Sequence, residues 1–157
     1  MKKIISVLVE NHFGVLTHAA GLFSARGFNI DSLAVGETED PTISRMTIVA
    51  EGDERTLEQV KKQLNRLIDV IKVIDLTEED FLDRELVLAK VRIDDKNRSE
   101  ILQIADTFQA KIDDTKKETV VIEVTGDEDK IKSFIKKMKP FGLIEIVRTG
   151  RIAMGRK

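Results

Sequence analysis

The chain repeats itself once. Met46, Ile48, Gly52, Asp53, Glu54, Leu57, Val60, Lys62 and Leu64 return 74 residues later as Val120, Ile122, Gly126, Asp127, Glu128, Ile131, Phe134, Lys136 and Met138. Apolar positions return as apolar and the Gly-Asp-Glu triplet returns unchanged. Two tandem copies of one small unit therefore fit the 157 residues better than one large domain.

Hydrophobic spacing gives the order of elements within a copy. Ile4 to Val9 is an apolar run broken only by Ser6, and it ends in the polar turn Glu10-Asn11-His12-Phe13-Gly14, a strand leading into a loop. Val15, Leu16, Ala19, Ala20, Leu22 and Phe23 recur at helical steps and predict a helix to Arg26, with Gly27 at its stop. Phe28 to Val35 reads as a second strand, and Met46, Ile48 and Ala50 alternate through a third that stops at Gly52-Asp53. Leu57, Val60, Leu64 and Leu67 predict a helix over Thr56 to Leu67, and Val70 to Leu76 supplies a fourth strand. Thr77 to Glu85 is acidic and aperiodic, a connector by composition. Beyond it the order recurs: Leu86 to Ile93, a helix around Arg98 to Phe108, two short strands, a helix and a last strand. The expectation is an α+β protein of two βαββαβ, ferredoxin-like domains at residues 1–76 and 86–157 with a linker at 77–85. Each domain would lay two helices on one face of an antiparallel sheet. The other face and the sheet edges are left over, so self-association is expected.

Composition removes whole classes of function. With no cysteine there can be no disulfide, thiolate zinc site or cysteine nucleophile. No apolar run approaches the roughly 18 residues a spanning helix needs, and Met1-Lys2-Lys3-Ile4 passes straight into a strand pattern, so a cytoplasmic protein away from membranes is expected. A net charge of -2 gives no general attraction for nucleic acid. Arg148 to Lys157 holds four positive charges, but Tyr and Trp are absent and no strand offers a stacking platform. The tail reads as solvated, or as docking on an acidic partner protein, and no nucleic-acid binding is expected. Charge is also uneven, 26% of residues 1–76 against 42% of residues 77–157. The surplus of Lys and Glu is of the kind found in thermophilic proteins.

Catalytic constellations are missing as well. The nine glycines form neither GxGxxG nor a phosphate loop, and no strand-Ser-helix elbow is present, so no catalytic residue is assigned. His12 and His18 flank the start of the first helix. A metal site built on them would need Glu10 or Asp31 and follows no motif, so both are read as solvated and no metal is assigned. What remains is the turn from Glu10 to Leu16. A helix N-terminus offers unpaired N–H groups to a carboxylate, a glycine there lets a ligand reach the backbone, and the Asn11 amide carbonyl can receive an ammonium. That combination suits a free α-amino acid, although Asn11 can equally be a plain turn residue and Gly14 a plain backbone requirement.

A resemblance bears on that choice. Glu10-Asn11-x-x-Gly14-Val15-Leu16, then Gly21-Leu22-Phe23-Ser24-x-Arg26-Gly27-Phe28-Asn29-Ile30-Asp31-Ser32-Leu33-x-Val35, then Pro41-Thr42-Ile43-Ser44-Arg45-Met46-Thr47-Ile48 closely resembles the small regulatory subunits of acetolactate synthase, also called acetohydroxyacid synthase. The resemblance is dense over residues 2 to 76 and looser beyond. It implies an amino-terminal ACT domain, the module that binds amino acids, followed by an ACT-like domain. It implies a chain without chemistry of its own that activates a large catalytic subunit and confers feedback inhibition by valine in branched-chain amino-acid biosynthesis. The large subunit would carry thiamine diphosphate, Mg²⁺ and FAD and condense two pyruvates, or pyruvate with 2-oxobutyrate, on the way to valine, leucine and isoleucine. None of those cofactors is expected in this chain.

In homodimers of this family two ACT sheets join side by side, and the effector lies between the first turn of one protomer and the second strand of its mate. By resemblance Asn11, Gly14, Val15 and Leu16 form the turn side, and Asn29 and Ile30 the strand side. Aligned at an offset of 82, the second copy places Ile93, Lys96 and Lys111 opposite Asn11, Gly14 and Asn29, so it has lost the ligand chemistry. It is expected to support the dimer or to meet the catalytic subunit. A tandem ACT amino-acid sensor serving another enzyme or a transcription regulator is the alternative reading.

Overall fold

A computed structural model describes residues 2–157. The chain divides into two compact units, residues 1–82 together with 151–157, and residues 83–150.

The first unit contains β1 (Lys2–Glu10), α1 (Val15–Ala25), β2 (Asn29–Glu37), β3 (Ile43–Glu51), α2 (Glu54–Arg66) and β4 (Val70–Asp75). The strands lie antiparallel in the order β2-β3-β1-β4. Alternate residues of a strand point to opposite faces. Ile5, Val7 and Val9 of β1 and Met46, Ile48 and Ala50 of β3 therefore share one face, where they are buried with Val15, Ala19 and Phe23 of α1 and Leu57, Val60 and Leu64 of α2. Those helical residues recur at steps of three and four, the spacing that aims one stripe at the sheet.

The second unit repeats the plan with β5 (Phe81–Arg92), α3 (Arg98–Thr107), β6 (Lys111–Thr115), β7 (Thr119–Gly126), α4 (Glu128–Met138) and β8 (Leu143–Arg148), in the strand order β6-β7-β5-β8. Val120 and Ile122 of β7 and Ile131, Phe134 and Met138 of α4 are buried in its core, as their counterparts 74 residues earlier are in the first. The repeated Gly-Asp-Glu is a helix start in both units. The Asp53 carboxylate accepts the Thr56 N–H at 2.7 Å, and the Asp127 carboxylate accepts that of Lys130 at 2.9 Å, each satisfying a donor the helix cannot pair internally.

The preceding glycines are held for close packing, unequally. A Cβ on Gly52 would enter the ring of Phe28, which is buried and stands edge-on to Phe23 with centroids 5.9 Å apart. A Cβ on Gly126 would meet the stem of Lys130, whose Cγ and Cδ can swing aside while its Cβ, at 2.9 Å, must give by a few tenths of an ångström. Gly52→Ala is expected to lower stability by about 1–3 kcal/mol, the usual penalty of overpacking, and Gly126→Ala by less; urea unfolding of the two variants checks the order.

Two expectations fail at the domain boundaries. The connector expected at 77–85 is shorter, because β5 begins at Phe81. Its first turns of strand carry Asp83 and Glu85, whose charges hide the alternation. Glu85 is nevertheless buried, and its carboxylate receives the Arg148 guanidinium at 2.6 Å. The tail expected to be solvated, or to dock on an acidic partner protein, instead forms β9 (Ile152–Gly155), which pairs with β5. Residues 151–157 therefore join the first unit rather than the second. Ala153 is buried with Ile4, Val49 and Leu76 on the face of the first sheet that the helices leave open. Arg156 follows, its N–H donating to the Asp80 carbonyl and its guanidinium 3.0 Å from the Asp80 carboxylate. Part of the surface left over in the sequence reading is thus covered by the chain's own last residues.

Candidate functional site

The turn between β1 and α1 is built by backbone bonds. Glu10 N–H donates to the Asp69 carbonyl at 2.7 Å, and Asn11 N–H donates to the Thr42 carbonyl at 2.7 Å. The Asn11 side-chain amide donates to the Pro41 carbonyl at 3.2 Å, which leaves its own carbonyl oxygen free to accept. Gly14 then takes φ +85°, a left-handed conformation that glycine adopts without strain, and α1 starts with no side-chain cap. Val15 N–H makes a long 3.4 Å bond to the His12 carbonyl and His18 N–H bonds to Gly14 at 3.0 Å. Among the described residues the N–H groups of Phe13, Gly14, Leu16 and Thr17 find no acceptor. Open donors at a helix start, with the positive end of the helix dipole behind them, offer a place for a carboxylate.

The second unit fills the same place itself. At the start of α3 the Asp94 carboxylate accepts the N–H groups of both Lys96 and Asn97 at 2.9 Å, and Ile93, the counterpart of Asn11, is buried. The second copy thus carries an internal carboxylate on the Lys96 N–H, whose counterpart in the first copy, the Gly14 N–H, is open.

The six residues assigned by resemblance divide in two. Gly14 and Asn11 are exposed at the turn; Leu16 is 42% exposed beside them, and Phe13 projects fully into solvent. The Val15 side chain, in contrast, belongs to the core, so that residue can offer only backbone to a ligand. Asn29 and Ile30 stand elsewhere. Pairing aligns Lys2 with Glu51 and Glu51 with Asn29, while Glu10 pairs with Ile43 at the other end of the strands. Eight residue steps at 3.4 Å put the two groups about 27 Å apart within one protomer. Asn29 is exposed and donates to the Asp31 carboxylate at 2.9 Å, and Ile30 is half-buried against the helix-side core.

The turn also gathers residues that sequence reasoning left apart. His12 lies 2.9 Å from the Glu10 carboxylate and 3.8 Å from that of Asp69, and one ligating atom from each falls within 4.8 Å of the others. Glu10 was foreseen as a neighbour. Asp69 could not be, since only the backbone bond from Glu10 across 59 residues brings it there. His18 is exposed, as expected. A shallow cavity of about 440 Å³ opens beside this cluster, lined by Asn11, His12, Pro41, Thr42, Ile43 and Ile71. Its floor is steadied by Asp40, whose carboxylate accepts the Thr42 N–H and hydroxyl. Those bonds hold the Asp40 carboxyl below its ordinary pKa. No described helix is long and apolar enough to cross a membrane.

Known proteins share this sequence and fold over nearly the whole chain. Residues 5–72 match the AHAS small subunit-like ACT domain, and residues 84–157 match the family described as the small subunit of acetolactate synthase. The chain is 52% identical to the probable acetolactate synthase small subunit of Archaeoglobus fulgidus, covering 99% of this chain and 98% of that one. It is 48% identical to the acetolactate synthase small subunit of Haemophilus influenzae, covering 99% and 96%. The crystal structure of the acetolactate synthase small subunit from Thermotoga maritima superposes with a TM-score of 0.89 at 41% identity, covering 100% of this chain and 98% of that one. The chain belongs to the small regulatory subunit family of acetolactate synthase.

Proposed function

We propose that the chain binds valine between two copies of itself, activates a large catalytic subunit and makes that subunit sensitive to feedback inhibition. The observation that carries this reading is the set of open N–H donors at the start of α1 beside the Asn11 carbonyl, a pairing of groups suited to the carboxylate and ammonium of one amino acid. The isopropyl group would then rest against Leu16 and Ile30, and its burial is worth on the order of 2 kcal/mol.

The separation of the two groups supports a shared site. β2 is an edge of its sheet, nine residues long. Long open edges tend to be covered. Were two β2 strands to pair antiparallel about Leu33, Asn29 of one copy would stand opposite Glu37 of the other. Glu37 pairs with Ser44, next to the Ile43 that pairs with Glu10. Such a homodimer brings the strand side of one chain to the turn end of its mate, which one chain cannot do alone. A ligand held across that junction depends on how the protomers sit, and regulatory couplings of this kind typically amount to about 1 to 3 kcal/mol.

The chemistry belongs to the partner, which on this reading holds thiamine diphosphate, Mg²⁺ and FAD. Titration calorimetry of the chain with valine is expected to show one valine per chain, two per dimer, and the chain is expected to co-purify with the large subunit and raise its activity. Leucine and isoleucine belong in the same assay, because one methylene changes binding by only about 1–3 kcal/mol. No heat with any of the three would overturn the effector reading. Failure to bind and activate the large subunit would turn the function toward an amino-acid sensor for another enzyme.

A further inference from the structure

β2 carries a bulge with a particular result. Ile30 pairs with Ala50, but Ser32 pairs with Val49, so Asp31 is an extra residue between them. In a regular strand residues 30 and 32 would face the same way. The bulge separates them: Ile30 packs against the helix-side core, whereas Ser32 lies over Val49 on the opposite face, where Ala153 of the tail is buried. Bulges re-aim side chains in this manner. The re-aimed Ser32 hydroxyl oxygen accepts the Arg151 N–H at 2.8 Å. Arg151 is buried, and it is the first residue of the returning segment, joined by one peptide bond to Gly150, the last residue of the second unit.

We propose that Ser32 is a positioning residue for regulation, passing the state of the effector strand through the Arg151 N–H to the segment that ties the second unit to the first. The proposal rests on the effector reading above, since Asn29 and Ile30 immediately precede the bulge. A ligand that fixes Asn29 and Ile30 fixes the bulge, and the bulge sets where the Ser32 oxygen stands. Two features tie the segment beyond Arg151 to the same unit: Ala153 in its apolar cluster and the Arg156–Asp80 pair. Of these ties, the Ser32 bond is the one that reaches the effector strand.

The test uses the full chain with its large catalytic subunit. Ser32→Ala removes the acceptor and little else. It is expected to bind valine with an affinity within about threefold of the parent and to activate normally, while the valine concentration for half-inhibition rises about tenfold, within the 5–150-fold range of ordinary couplings. Ser32→Thr keeps the hydroxyl and is expected to restore sensitivity, which a purely volumetric effect would not do. Amide hydrogen exchange reads the bond directly. Valine is expected to slow exchange over residues 151–155 of the parent and to leave the Ser32→Ala chain unchanged there. A Ser32→Ala holoenzyme as valine-sensitive as the parent, or a parent whose 151–155 exchange ignores bound valine, overturns the proposal and leaves the effector reading standing. Loss of valine binding in Ser32→Ala also overturns it, by placing Ser32 in the pocket itself. A parent that binds no branched-chain amino acid overturns both.

Discussion

Gly14→Asp is expected to abolish valine inhibition while leaving activation of the catalytic subunit in place. A Cβ built on Gly14 meets nothing within 4 Å, so the side chain has room and the fold survives. The left-handed backbone at φ +85° is strained for residues other than glycine, by about 1–2 kcal/mol, and aspartate is among those that bear it best. The new carboxylate sits at the open N–H donors of α1, as the Asp94 carboxylate sits on the Lys96 and Asn97 donors of the second unit. It would occupy those donors and repel the ligand's carboxylate. Hydrogen bonds to a charged group are worth about 1.5–3 kcal/mol each, so losing two of them weakens binding by more than about a hundredfold. Gly14→Ala separates the two causes. It carries the backbone strain without the charge, and is expected to keep measurable, weakened inhibition. Inhibition curves of the reconstituted holoenzyme and calorimetry on the variants provide the measurement, and a Gly14→Asp enzyme still inhibited by valine would remove the turn from the site.

The sequence made the helix-facing half of each unit legible because it is written in local periods. Leu57, Val60 and Leu64 mark a stripe, Gly52-Asp53-Glu54 marks a close approach followed by a cap, and both signals recur 74 residues on with the same structural result. The open donors of the turn were legible for the same reason: Gly14 and the start of an uncapped helix are neighbours in sequence. What stayed hidden depends on residues far apart in the chain. β9 is four residues long, and its one buried side chain, Ala153, gives no alternation strong enough to outweigh Arg151, Arg156 and Lys157. Its partners are Ile4, Val49 and Leu76, and no local pattern points to them. Asp69 joined His12 for the same non-local reason. The bulge at Asp31 was invisible because Ile30 and Ser32 read as an ordinary alternating pair; only the register with β3 shows that they face opposite ways.

Mixed dimers of Gly14→Asp and Asn29→His chains are expected to recover one valine site where each homodimer has none. Within a protomer the two positions lie at opposite ends of the sheet, about 27 Å apart by strand rise. If each pocket takes its turn from one chain and its strand from the mate, the mixed dimer holds one pocket with both substitutions and one with neither. The intact pocket binds normally, giving one valine per dimer against two for the parent. If turn and strand of the same chain served one pocket, each pocket of the mixed dimer would carry one lesion and no binding would return. Asn29→His alone is informative because it removes the amide at an exposed position whose recorded bond is to Asp31, two residues away, so folding is expected to be spared. Chains with two different affinity tags, purified in tandem and titrated with valine, give the stoichiometry directly. One site recovered places the effector across the protomers; none recovered confines it to one.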